Sequence, residues 1–283
     1  MNKDKGSTGY QITRLFGSPI FKMAYEPLIL NKEYIPNDGP ILLCGNHLHV
    51  WDQFPVICAT KRTTHWMSKK EYFDSAMGPF FKATGAICVD RKGNAKLAEN
   101  IALEYLEINS AVGLFPEGTR NGLKTEHINN LYNRNEVLKT IPYQKFYDLI
   151  KLKNPKLSQV NLLEKLYTDK KISEIDFVES ILDVDASLQK IMKMNIISED
   201  EYNDSLLLPF KYGAVSMAAK TGAKIVPFAV TGDYQVGNNN LIVSFGEPIL
   251  CSKDSLEEDN KKLRNKVMQL ELKNLQKKSK SNK

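Results

Sequence analysis

This chain is poor in paired cysteine, in long apolar runs and in histidine, and each shortage closes off a class of protein. Cys44, Cys58, Cys88 and Cys251 lie scattered through 283 residues with no CxxC pair. Three of them fall inside apolar runs, where a thiol acts as a small buried hydrophobe. That argues against a disulfide scaffold and for a reducing compartment. No apolar stretch approaches the roughly 20 residues that a spanning helix needs. The segment MNKDKGSTGY also lacks the apolar core of a signal peptide. Only four histidines occur, and none forms HxxxH or HExxH.

What is present fits a folded protein with a full core. Hydrophobic residues make up 42% and charged residues 25%, which suits one or two domains. The formal net charge of +6 favours an anionic partner, and a membrane surface, nucleic acid or a phosphorylated substrate would each qualify. The stretch YQITRLFGSPIFKMAYEPLIL is rich in Leu, Ile, Phe and Tyr but carries Arg14, Lys22 and Glu26. Its composition suits a helix lying in a membrane interface, and equally a helix packed on the domain's own core. Residues 1–30 are therefore set apart as an amphipathic N-terminal segment.

From residue 31 to 123 short apolar runs alternate with helical segments. PILLCG (40–45), TTHWMSK (63–69), GAICVDR (85–91) and AVGLFPEG (111–118) read as strands. QFPVICATK and GNAKLAENIALEYLEI read as helices, the latter with apolar residues at i, i+3, i+4 and i+7. Such alternation predicts an α/β layered domain with a largely parallel sheet. The pattern breaks over 124–205, where KFYDLIKL, VNLLEKLY and IDFVESIL have helical periodicity and nothing has period 2. That span reads as an all-helical insertion, with no internal repeat apparent. The α/β pattern resumes over 206–252, with a helix at 213–221 capped by Gly222 and the strand AKIVPFAV (223–230). NNNLIVSFGEPI adds a further strand element, and 253–283 is an amphipathic helix with Leu256, Leu263, Val267 and Leu270 on one stripe. Its basic tail is expected to fray.

Four segments carry candidate chemistry. GNHLHVWDQF holds His47-x-His49 with Asp52 following. Residues five apart on one helix point about 140° apart. His47 and Asp52 can therefore meet only if His47 lies in the turn before the helix. An imidazole held there by a carboxylate has its tautomer fixed, which suits a general base for a hydroxyl. The same residues could instead start a metal site, but a catalytic zinc commonly takes three protein ligands, and His65 and His127 are poorly placed to supply one. They could also form an ordinary loop entering a helix. LFPEGTRN crosses the carboxyl edge of the predicted sheet, where α/β proteins bind ligands. There Gly118 permits close backbone approach, Thr119 offers a hydroxyl, and Arg120 offers a fork suited to phosphate. Glu117 could pair with Arg120 or orient a substrate hydroxyl; a surface turn is the plainer alternative. CVDRKGN brings Arg91 and Lys92 to a strand end. In KIVPFAVTG, Pro227 interrupts an apolar run, which suggests an edge strand or a bulge.

Together and in this order, these segments resemble the glycerolipid acyltransferase family that includes 1-acylglycerol-3-phosphate acyltransferase, the PlsC-like enzymes. The NHxxxxD block is matched by Asn46, His47 and Asp52, the apolar-Asp-Arg block by Cys88 to Arg91, and FPEGTR by Phe115 to Arg120. The proline-centred strand is matched by Ile225 to Pro227, and Phe210-Lys211-Tyr212-Gly213-Ala214 resembles the segment that normally follows FPEGTR closely. The likeness covers roughly residues 27–123 and 206–250. This chain departs from the pattern in having His49 where the family often has Ser, and in the insertion of roughly 80 residues after FPEGTR. The family's frequent N-terminal membrane helices are not in evidence either.

The resemblance implies a glycerolphosphate-acyltransferase-type sheet flanked by helices, and acyl transfer from acyl-CoA or acyl carrier protein to the sn-2 hydroxyl of lysophosphatidate. His47 would be the base and Asp52 its partner. Arg120, with Arg91 and Lys211, would hold the phosphate. Glu117 would position glycerol oxygens, with Gly118 and Thr119 lining the site, and Pro227 would lie near the acyl chain. No metal, cofactor or nucleic-acid partner is expected. A cytoplasmic protein, peripheral on the inner face of the cell membrane and docked on anionic lipid, is expected. Glycerol 3-phosphate or another lysophospholipid as acceptor, a non-catalytic lipid-binding scaffold, and a metal-dependent hydrolase are the alternatives.

Overall fold

The computed structural model describes residues 7–281 and divides into two compact units. One holds the chain up to Thr119 and from Pro209 onward; the other is Arg120–Leu208. The first unit begins with α1 (Ser7–Tyr25), β1 (Leu28–Leu30), β2 (Ile41–Gly45), α2 (Gln53–Ala59) and β3 (Thr64–Lys69). It continues through α3 (Lys70–Phe73), α4 (Gly78–Ala83), β4 (Ile87–Val89), α5 (Ala95–Glu107) and β5 (Ala111–Leu114). The second unit carries α6 (Thr125–Arg134), α7 (Tyr143–Lys153), α8 (Leu157–Thr168), α9 (Glu174–Leu182), α10 (Val184–Lys193) and α11 (Glu199–Asp204). The chain then returns to the first unit with α12 (Gly213–Thr221), β6 (Lys224–Thr231), β7 (Ile242–Phe245) and α13 (Leu256–Ser281).

Among the described residues the strands form one sheet in the order β1-β7-β6-β2-β5-β3-β4, parallel throughout except for the β6–β7 pair. The centre of the sheet is apolar on both sides because helices cover both faces. Ile41 and Leu43 of β2, with Val226, Phe228 and Val230 of β6, pack against Tyr10, Phe21 and Tyr25 of α1 and Val56 and Ile57 of α2. The alternate residues of β6 face α13, whose Leu263, Val267 and Leu270 are buried and whose Asn274 amide donates to the Ala229 carbonyl at 3.2 Å. The fold is thus the layered α/β architecture that the alternating pattern predicted.

Several sequence expectations need adjusting. The N-terminal segment does not stay helical to residue 30. Pro27 disfavours helix at the residue before it, Glu26 turns to φ 40°, and Leu28–Leu30 joins β7 as a parallel edge strand. Residues 1–6 of that segment, and 282–283 of the C-terminal tail, lie outside the described residues. The tail expected to fray is helical through Ser281. Pro227 is not at an edge, but the antiparallel pairing beside it slips by one residue, from Pro227 opposite Gly246 to Ile225 opposite Ile249, which is the bulge that the proline suggested. Pro227 lies mid-strand in β6 with Cys44 as its β2 partner, and its carbonyl accepts the Gly246 amide at 2.8 Å.

The second unit has its own core, built around Phe146, Leu163, Phe177, Ile181 and Leu188. It also contains a repeat that the sequence reading missed. Lys170 and Asn195, 25 residues apart, both adopt left-handed φ (57° and 58°) at the ends of α8 and α10. Ile172 and Ile197 follow, both buried, and then Ser173 and Ser198 cap α9 and α11. Each serine hydroxyl accepts a backbone N–H three residues on, at 3.1 Å, and the carboxylate at that position accepts the serine's own N–H. This reciprocal capping satisfies two otherwise orphaned donors at each helix start. Phe177 and Tyr202 then fill equivalent buried positions.

Candidate active site

β2 ends at Gly45 because a side chain cannot fit there: a Cβ would lie 2.3 Å from the Phe228 ring and 2.6 Å from its carbonyl oxygen. The next residue, Asn46, is buried and substitutes its side chain for the lost ladder. Its amide nitrogen donates to the Val230 carbonyl at 2.9 Å, and its amide oxygen accepts the Val230 N–H at 2.8 Å. With the turn fixed in this way, His47 and Asp52 do meet, His47 before the helix and Asp52 as the residue preceding α2. His47 Nδ1 lies 3.0 Å from Asp52 Oδ2.

Asp52 is 1% exposed, and a buried carboxylate must be compensated by donors. Its Oδ2 accepts the Leu48 and His49 backbone N–H groups, both at 2.7 Å, as well as facing His47. Its Oδ1 accepts the Tyr234 hydroxyl at 2.7 Å. An ionised Asp52 accepts only, so the hydrogen between it and His47 belongs on Nδ1, and Nε2 is left as the basic nitrogen. The imidazole is stacked on Phe115 with ring centres 4.0 Å apart and 9° between planes, which fixes its orientation. The Glu117 side chain, 4% exposed, accepts the His47 backbone N–H at 2.7 Å and so ties the FPEGTR block to the NHxxxxD block.

Arg91, Gly118 and Lys211 also converge. Arg91 Nη2 donates to the Gly118 carbonyl, and a Cβ on Gly118 would lie 2.8 Å from Lys211 Cε. Gly118 itself has φ +70°, a conformation that side chains disfavour. The Lys211 amide donates to the Pro116 carbonyl at 2.9 Å, bringing the returning chain back onto this loop. Asp90 makes the turn that presents Arg91: it accepts the Lys92 and Gly93 amides and pairs with Lys70 at 2.8 Å, and these bonds hold its carboxyl below the usual range. Thr119 ends this part of the first unit, and Arg120 opens the second. Pro227 is apart from the His47–Asp52 pair: its ring lies on the α13 face beside Gly246 and Leu270.

His49 turns out to be a packing residue of the site. Its ring stacks on Tyr234 at 4.4 Å and meets Trp51 edge-on at 5.7 Å, while its Nδ1 accepts the Trp51 amide at 3.3 Å. No group of three or more His, Cys, Asp or Glu residues able to hold a metal occurs among the described residues. Phe115 and Tyr234 are the site residues that sequence reasoning missed. Phe115 was inside a quoted motif without a role, and Tyr234 lies in a polar loop after β6 with no periodic signal.

A His–Asp pair thus stands at the carboxyl edge of a largely parallel α/β sheet, tied through Glu117 to the loop on which Arg91 and Lys211 converge. The chain belongs to the acyltransferase family, whose model, described as Acyltransferase, matches residues 28–231. Among similar proteins, the 1-acyl-sn-glycerol-3-phosphate acyltransferase of Bacillus subtilis (strain 168) is 30% identical over 94 residues. That alignment covers 32% of this chain and 47% of the relative, so the chain spans about half the relative's length. Among solved structures, the crystal structure of the 1-acyl-sn-glycerophosphate acyltransferase PlsC from Thermotoga maritima shares the fold, with a TM-score of 0.50 at 16% identity. The match covers 92% of this chain and 77% of that one.

Proposed function

We propose that this protein transfers a fatty acyl group from an acyl thioester, acyl-CoA or acyl carrier protein, to the sn-2 hydroxyl of 1-acylglycerol 3-phosphate, giving phosphatidate for phospholipid synthesis. The observation that carries this reading is the 3.0 Å contact between His47 Nδ1 and Asp52 Oδ2, which leaves Nε2 as the base. Nε2 takes the acceptor hydroxyl proton as the oxygen attacks the thioester carbonyl. The C–S bond then breaks, and Nε2–H returns the proton to the departing thiolate. Asp52 stabilises the transient imidazolium, so no covalent acyl-enzyme is needed. Arg91 and Lys211 supply positive charge for the acceptor phosphate, and the FPEGTR motif adds Arg120 to that role, with Gly118 and Thr119 in the same loop. Glu117 serves chiefly to hold the His47 backbone.

A small apolar cavity of about 50 Å³, lined by Tyr10, Phe54, Ile57, Trp66, Phe80 and Phe81, holds only a small part of an acyl chain and marks the direction in which the chain would run. Phe54 follows closely on Asp52, and Trp66 stacks on Phe115 at 5.5 Å, so the cavity adjoins the catalytic pair. Pro227 faces away from it, on the other side of the sheet, and has no acyl role in this reading. Both readings of the N-terminal segment find support in α1. Tyr10, Phe21 and Tyr25 are buried against the core, while Ile12, Leu15, Phe16, Ile20 and Met23 are each more than half exposed. No described helix is long and apolar enough to cross a membrane. A helix apolar on its outer face, with Lys22 beside it, suits peripheral docking on anionic lipid, where both amphiphilic substrates reside.

The test is turnover of lysophosphatidate with an acyl thioester by purified protein, followed as phosphatidate. His47→Ala is expected to lower the rate by about 10² to 10⁴ while the protein stays folded. Full activity in that variant refutes the assignment.

A further inference from the structure

Tyr234 belongs to none of the recognised motifs, yet its hydroxyl makes the only described contact to Asp52 Oδ1, at 2.7 Å. The three other donors all meet Oδ2. Turning a carboxylate about its Cβ–Cγ bond moves both oxygens together, so a donor on Oδ1 adds resistance to the same rotation that would carry Oδ2 off its three partners. We propose that Tyr234 is a positioning residue for the reaction proposed above, fixing the plane of Asp52 so that Oδ2 stays aimed at His47 Nδ1.

The ring that carries this hydroxyl is itself immobilised. It stacks on His49 (4.4 Å, 22°) and meets Trp51 and Tyr25 edge-on at 6.3 and 5.9 Å, with Phe21 tilted against it at 6.4 Å. Two of these partners are on α1, so the helix with the exposed apolar face braces the ring that holds the catalytic carboxylate. His49, which stands where the family often has Ser, supplies the stacking partner. Burial and the adjacent Asp52 charge push the Tyr234 phenol far above its ordinary range, so it remains a hydrogen donor at any working pH. A tyrosine kept only for packing would be replaceable by Phe, because every ring contact survives that change.

Tyr234→Phe separates the two roles. We expect kcat for lysophosphatidate acylation to fall about 10- to 100-fold, with KM for both substrates within about twofold and the far-ultraviolet circular dichroism unchanged. In an Asp52→Asn background the same substitution should change kcat less than about twofold, because the contact acts through the carboxylate. A second readout does not depend on the substrate. The downfield proton resonance of His47 Nδ1–H, lost in Asp52→Asn, should shift in Tyr234→Phe. Wild-type kcat in Tyr234→Phe, or an undiminished effect in the Asp52→Asn background, overturns the inference. If the wild-type protein does not acylate lysophosphatidate, the proposed function fails instead, and the resonance decides: a shift upholds the role of Tyr234 and an unmoved resonance ends it.

Discussion

The α/β unit and the helical unit solve opposite problems. In the α/β unit the site is assembled from distant crossovers: His47 follows β2, Phe115 and Glu117 follow β5, Arg91 follows β4 and Tyr234 follows β6. Its key contacts span 70 residues for Glu117 with His47 and 182 for Tyr234 with Asp52. In the helical unit the defining contacts are local, made by caps three residues apart and by a hairpin repeated after 25. Each unit also closes on itself. Pro116 meets Lys211 in one, and in the other Asn121 reaches the Leu206 carbonyl at 3.1 Å and the Ser158 amide at 3.0 Å. The candidate site therefore lies where non-local strands converge, whereas the helical unit is built from local contacts.

The most drastic way to break this comparison is to excise residues 121–207 and bridge Arg120 to Leu208 with a short Gly/Ser linker. The α/β unit is expected to fold alone and melt cooperatively; loss of its cooperative transition in calorimetry would show that the units depend on each other. A smaller blow falls on the helical unit alone. Phe177 is fully buried and stacked on Tyr167 at 4.7 Å, so Phe177→Ala should cost about 3–5 kcal/mol. Hydrogen exchange should show that loss confined to the helical unit, with His47-dependent turnover retained.

On the α/β side, the triple substitution Ile12→Ser, Phe16→Ser, Ile20→Ser removes exposed apolar surface without touching the core. It should weaken binding to anionic liposomes about tenfold or more, measured by co-sedimentation, and equal binding would discard the docking role of α1. The finest comparison is inside the repeat: Ser173→Ala and Ser198→Ala should each cost about 1 kcal/mol, and clearly unequal losses would deny that the two caps are equivalent.

Much of the α/β unit was readable because burial on both faces forces strands such as ILLCG and KIVPFAVT into uninterrupted apolar runs. Geometry allowed the His47–Asp52 pairing, since a turn before the helix lets residues five apart meet, but it was the resemblance carried by FPEGTR and the other blocks that singled it out. β1 escaped notice because three apolar residues after a helix look like its continuation, and only pairing with β7 makes them a strand. Pro227 was half legible: the slip in pairing beside it is there, but the strand is central, and its missing N–H falls opposite Gly246, where one bond suffices. Tyr234 was invisible because its meaning lies wholly in a contact 182 residues away. The repeat hid because ISEIDF and ISEDEY are similar while the surrounding helices share little beyond buried positions.

The strand order carries a consequence for synthesis on the ribosome. β2, buried at every residue, pairs with β5 on one side and with β6 on the other. β5 is complete at Leu114, but β6 does not begin until Lys224, after the whole helical unit has been made. At about 5–20 residues per second the nascent sheet waits roughly 5 to 20 s with an apolar edge open. The helical unit, whose contacts are local, is made within that interval, while the edge of β2 that will receive β6 stays unpaired.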